Sequence, residues 1–137
     1  MYFDELSIGQ TASSENTVTQ AVIDAFAAVS TDQNPVHVDP AFAAGTPFGG
    51  TIAHGMLSVS YISALLGNSL PGPGTIYLGQ TVRFLAPVRP GDTVRTVVTI
   101  RDIHPEKRKV ICETACYVGD KKVIDGEATL LAAARPA

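Results

Sequence analysis

Apolar residues recur in two different rhythms along the 137-residue chain, helical in the first half and alternating in the second. From Thr75 onward the period is two. Ile76, Leu78, Val82 and Phe84 share one face of a first long strand, Val94, Val98 and Ile100 one face of the next, and Val110, Cys112, Cys116 and Val118 one face of a third. In the last strand Val123 and Leu131 share one face, with Ile124 and Leu130 opposite. Turns between these strands are expected at Pro87–Asp92, His104–Lys107 and Gly119–Asp120, where proline, glycine and aspartate collect.

The first half reads differently. The Ser/Thr-rich segment from Thr11 to Thr19 predicts a short edge strand. Thr19 then caps a helix over Gln20–Val29, whose stripe is Val22, Ile23, Phe26, Ala27 and Val29. A short helix starts at Pro40 behind an Asp39 cap, and Gly45–Gly50 forms a turn cluster. The most hydrophobic segment, Ile52–Leu66, is apolar around most of the helical circumference and ends at Gly67, so it predicts a helix enclosed on nearly all sides. Helices first and antiparallel strands after describe a single α+β domain over residues 1–137, with a sheet curled around one buried helix.

Composition narrows the partners. A hydrophobic fraction of 45% against 17% charged residues predicts that some apolar surface meets a partner or a greasy ligand. A net charge of −3 offers no electrostatic reason to expect nucleic acid. The start of the chain, Met1-Tyr-Phe-Asp-Glu-Leu, is acidic where a signal peptide would be basic, and no apolar run approaches the roughly 18 residues of a membrane span, so a cytoplasmic protein is expected. Cys112 and Cys116 lie four residues apart in a strand, about 13 Å, which predicts two buried free thiols and no bridge.

The chemistry concentrates in Thr31-Asp32-Gln33-Asn34-Pro35-Val36-His37-Val38-Asp39-Pro40. Pro35 and Pro40 keep this stretch from being one helix and stiffen it. Asp32 and His37 flank the bend, where a carboxylate and an imidazole can hold a water and move protons near neutral pH. Equally, Asp32 or Asn34 can close an Asx turn, and the spacing alone leaves both readings open. Asp39 reads as a cap. On ligand type, His37, Asp39 and His54 could also hold zinc, although no metal-spacing motif supports it.

The run from Phe26 to Ala43, with Asp32, Asn34, Pro35, His37 and Pro40, resembles the signature of the MaoC-like, (R)-specific enoyl-CoA hydratase family. Ile52-Ala-His54-Gly55-Met56-Leu57, Leu65-Leu66-Gly67, Pro71–Gly74, Ile76–Gln80 and Pro87–Asp92 follow in the family's order and approximate spacing. One departure is Thr31, where the broader signature often has glycine. The resemblance implies the hot-dog fold, a homodimer joined at its sheet edges, and a hydro-lyase that adds water to trans-2-enoyl-CoA to give (R)-3-hydroxyacyl-CoA, with no cofactor and no metal. It implies Asp32 and His37 as the catalytic dyad, Gly55 as the oxyanion donor and Ser63 as the residue orienting Asp32. Leu66 and Leu130 would border the acyl pocket. Without the resemblance, Gly55 reads better as a close helix-to-sheet contact, and Ser63 could as well bond the carbonyl one turn back. His54, at the helix start, stays outside the dyad as a cap or a satisfied contact. Two other readings compete. A hot-dog thioesterase needs a carboxylate on the central helix, and Ile52–Leu66 has none; a non-catalytic acyl-binding scaffold would not need Asp32 and His37 together.

Overall fold

A computed structural model describes all residues, 1–137. Strand β1 (Thr11–Thr17) leads into helix α1 (Gln20–Ser30), the one-turn helices α2 (Pro35–Val38) and α3 (Pro40–Ala44), and the long helix α4 (Gly55–Asn68). Strands β2 (Ile76–Phe84), β3 (Thr93–His104), β4 (Lys109–Val118) and β5 (Lys121–Leu131) follow. All five strands form one antiparallel sheet in the order β1-β3-β4-β5-β2, which leaves β1 and β2 at the edges. This is the α+β, hot-dog arrangement. The concave face closes on α4, which buries Leu57, Val59, Ile62, Leu65 and Leu66 against Val94, Val98, Ile100, Val110, Cys112, Cys116 and Leu130. No helix is long and apolar enough to cross a membrane.

Alternation placed β3 and β4 correctly, since Val94, Thr96, Val98 and Ile100 all point into the core, as do Val110, Cys112, Thr114 and Cys116. Both cysteines are free and buried, and burial pushes the Cys112 thiol up to about 11, so neither is a reactive thiolate. Two expectations need correction. In β2 the pairing with β5 skips at Leu78, between Tyr77 and Gly79, and this bulge breaks the shared face; Ile76, Leu78 and Phe84 are all exposed. The central helix begins at Gly55 and not at Ile52. The Ala53 amide is captured by the Val88 carbonyl (2.7 Å) and the Ile52 amide by the Val36 carbonyl (3.2 Å), so residues 52–54 run extended before the helix turns.

Local rules account for the other starts. Thr19 Oγ1 accepts from the Val22 amide, and Asp39 Oδ1 accepts from the Ala41 and Phe42 amides, each followed by its helix. The stretch read as a loop before Pro40 contains the extra turn α2, with Pro35 in its first position and Asn34 Oδ1 accepting from the Val36 amide. Thr31 ends α1 at φ 66, in the left-handed region that a β-branched residue tolerates poorly. This gives a physical reason for glycine at that place. Thr31→Gly is expected to raise the unfolding free energy by about 0.5–1 kcal/mol, the relief of strain being partly offset by the freer unfolded chain. A urea melt checks it, and an unchanged midpoint would mean that Thr31 carries no strain.

Candidate active site

The bend between α1 and α2 delivers Asp32, and α2 delivers His37 one turn later, both toward the start of α4. One nitrogen of His37, one of His54 and a carboxylate oxygen of Asp32 lie within 4.8 Å of one another, near enough for one water to bond both Asp32 and His37. Asp32 stands exposed at the mouth, whereas His37 is 9% and His54 3% exposed. Asp32 also closes the Asx turn, because its Oδ1 accepts from the Asn34 amide at 3.1 Å. The turn and the site are therefore not alternatives: the turn fixes one carboxylate oxygen and leaves the other for chemistry.

The tautomers follow from the partners. His37 Nδ1 lies 2.8 Å from the Ile52 carbonyl, which can only accept, so Nδ1 carries the proton and Nε2 is the exchangeable nitrogen. By the same reasoning His54 Nε2, 3.0 Å from the Asp32 carbonyl, carries that ring's proton. The two rings stack at a centroid distance of 3.8 Å and 27°. Rings stacked so nearly plane to plane send their lone pairs side by side and not toward a common point, a poor arrangement for a cation about 2.1 Å from each nitrogen. Asp39, offered above as a zinc ligand, is engaged in capping α3. Gln20, which sequence reading missed, secures the floor: its Nε2 donates to the His37 carbonyl (2.8 Å) and its Oε1 accepts from Thr51 Oγ1 (2.7 Å).

A cavity of about 480 Å³ opens beside the dyad. Asp32, His37, His54 and Gly55 line one side, and Phe48, Ile52, Met56, Phe84, Val88 and Ile124 supply apolar wall. Gly55 is the first residue of α4, where an N–H has no partner within the helix and the dipole's positive end favours negative charge. The glycine also makes room for a neighbouring ring. A Cβ there would run into the Phe84 ring, which lies against it.

Three expected placements are corrected. Ser63 is exposed and makes no bond to Asp32. The serine of α4 that does line the cavity is Ser58. Leu66 and Leu130 are buried in the core, at 1% and 0% exposure, and form no part of the cavity wall; Val88, Ile124 and Ser58 occupy that place. No periodicity marks Ile124 as a wall residue, since its neighbour Val123 is equally buried.

The domain is α+β in the hot-dog arrangement and brings an acid, an imidazole and a helix N-terminus to one cavity. The chain is a member of the MaoC-like domain family, whose model matches residues 5–125. It is 49% identical to an (R)-specific enoyl-CoA hydratase of Rhodospirillum rubrum over 98% of this chain and 93% of the relative. It is 44% identical to a 3-hydroxybutyryl-CoA dehydratase of Methylorubrum extorquens over 93% of this chain and 82% of that protein. Among solved structures, an unliganded R-hydratase from Pseudomonas aeruginosa superposes with a TM-score of 0.93 at 44% identity, covering 98% of this chain and 86% of that one. An (R)-hydratase of Aeromonas caviae involved in polyhydroxyalkanoate biosynthesis gives 0.90 at 42%, covering 93% and 97%.

Proposed function

We propose that the protein is a hydro-lyase that adds water to trans-2-enoyl-CoA to give (R)-3-hydroxyacyl-CoA and catalyses the reverse dehydration. The observation that carries this reading is the meeting of Asp32 and His37 at a cavity whose rim holds the Gly55 amide. A water held between the Asp32 carboxylate and His37 Nε2 supplies hydroxide to the β-carbon. One proton leaves that water and one reaches the α-carbon, so the pair ends the turnover in its starting protonation state. The Gly55 N–H donates to the thioester oxygen as it gains charge, where an aligned donor in a water-poor site is worth most. Asp32 and His37 act on one side of the bound acyl chain, so both additions occur on the same face. The reaction needs no cofactor or metal, coenzyme A arriving as part of the substrate.

Val88 and Ile124 would limit the acyl chain in place of Leu66 and Leu130. Ile124→Val should cost about 1 kcal/mol of stability and raise the ratio of kcat/KM for hexenoyl-CoA over crotonyl-CoA several-fold, on the order of one methylene's worth of binding. An unchanged ratio would move the limiting wall elsewhere. The exposed apolar residues of the edge strand β2, Ile76, Leu78 and Phe84, support a homodimer joined along that edge. A cytoplasmic setting suits a coenzyme A substrate and the reduced, buried thiols.

The test is the absorbance of crotonyl-CoA with purified protein, followed by chiral analysis of the product. Loss of the enoyl signal with no free thiol supports hydration. Release of free coenzyme A would replace the reading with a thioesterase, and an (S) product would overturn the stereochemical assignment.

A further inference from the structure

His54 precedes α4 as its capping residue yet makes no capping bond with its side chain. Its ring is 3% exposed and touches three things instead. Nε2–H donates to the main-chain carbonyl of Asp32 at 3.0 Å, one face stacks on His37 at 3.8 Å, and Phe26 packs against the ring at 4.9 Å and 57°. It thus contacts both members of the dyad without using a carboxylate. Its other nitrogen, Nδ1, is enclosed and has no partner, which in a buried polar atom calls for an explanation. Ser58 Oγ is also enclosed and unpartnered, with the residue 1% exposed. The two atoms do not bond each other, and His54 stands outside the helix in extended backbone.

We propose that His54 is a positioning residue for the Asp32–His37 pair, held by the Asp32 carbonyl in the tautomer with its proton on Nε2. With the ring proton on Nε2, Nε2–H anchors the bend that aims Asp32 at the water. The stack on His37 fixes the plane of the second dyad member. His54 acts through Asp32 and His37, its Nδ1 being buried and its Nε2–H held by the Asp32 carbonyl. In its kinetic part this inference rests on the hydratase reading; in its tautomer part it does not.

Two measurements test it. In long-range nitrogen–proton spectra of the wild-type protein, His54 should carry its proton on Nε2 and none on Nδ1. The opposite tautomer overturns the proposal whatever the protein catalyses. In crotonyl-CoA hydration, His54→Phe keeps the ring volume and the stacking but loses the donor, and kcat should fall about 10- to 100-fold with KM within about threefold. His54→Gln restores an N–H at the reach of Nε2 and should recover most of that loss. Wild-type kcat in His54→Phe, or a Gln variant as slow as the Phe variant, sinks the positioning role. If His54→Phe does not fold, the Gln variant and the wild-type tautomer decide the matter. A wild-type protein that hydrates nothing counts against the proposed function and leaves the tautomer result standing.

Discussion

Asp32→Asn and His37→Gln should each lower kcat for crotonyl-CoA hydration by a factor of about 10² to 10⁴, the usual worth of a positioned proton-transfer group. The fold should survive both. An asparagine at 32 retains a side-chain oxygen to accept from the Asn34 amide, so the Asx turn persists while the base is lost. Glutamine at 37 forfeits the Nδ1–H contact to the Ile52 carbonyl, at a cost of about 1 kcal/mol of stability. Because the two groups handle one water together, the double variant should be little slower than the worse single one. Steady-state rates with urea melts as controls check all three. Near-wild-type turnover in either single variant breaks the dyad assignment.

Gly126→Ala should be the most damaging small substitution outside the site, at about 3 kcal/mol or more of stability. Gly126 in β5 pairs with Val82 on one side and Thr114 on the other. A Cβ there would land on the Thr81 main-chain carbonyl, 2.9 Å from Gln80 Nε2 and 3.2 Å from Thr114 Oγ1. Gln80 Nε2 already donates to both of those oxygens, so the new methyl displaces a bonded side chain as well as backbone. Edge strand β2 would have to move away from β5, carrying Phe84 and Leu85 out of the cavity wall. Activity should therefore fall with stability. A denaturation midpoint within about 0.5 kcal/mol of wild type would show that β2 yields without cost.

What could be read from the chain was local or strictly periodic. Thr19 and Asp39 cap the helices after them because a cap depends on the next three residues alone. Strands β3 and β4 follow their alternation because both are interior strands with one face on α4. The errors arise where distant backbone intervenes. Ile52 and Ala53 look helical, yet amide contacts to Val36 and Val88 pull them straight, and those partners lie 16 and 35 residues away. The bulge at Leu78 leaves no mark in hydropathy.

Of the candidate site, the meeting of Asp32 and His37 was legible and the surroundings were not. Asp32 and His37 stood out because two prolines framed them. Ser63 was misplaced because resemblance supplies a position and not a rotation about the helix axis, and an exposed serine is indistinguishable in sequence from a buried one. His54 was set aside because a histidine at a helix start reads as a cap. Only three dimensions bring it against both dyad members.

Each imidazole proton in the site is pledged to a peptide carbonyl, His37 to that of Ile52 and His54 to that of Asp32. Mutational scanning at residue 52 would therefore report on side-chain bulk and miss the orienting contact, since every amino acid brings the same oxygen. A designer changing substrate scope can vary that residue freely in size while the His37 imidazole keeps its proton in place, so long as the extended course of residues 52–54 survives.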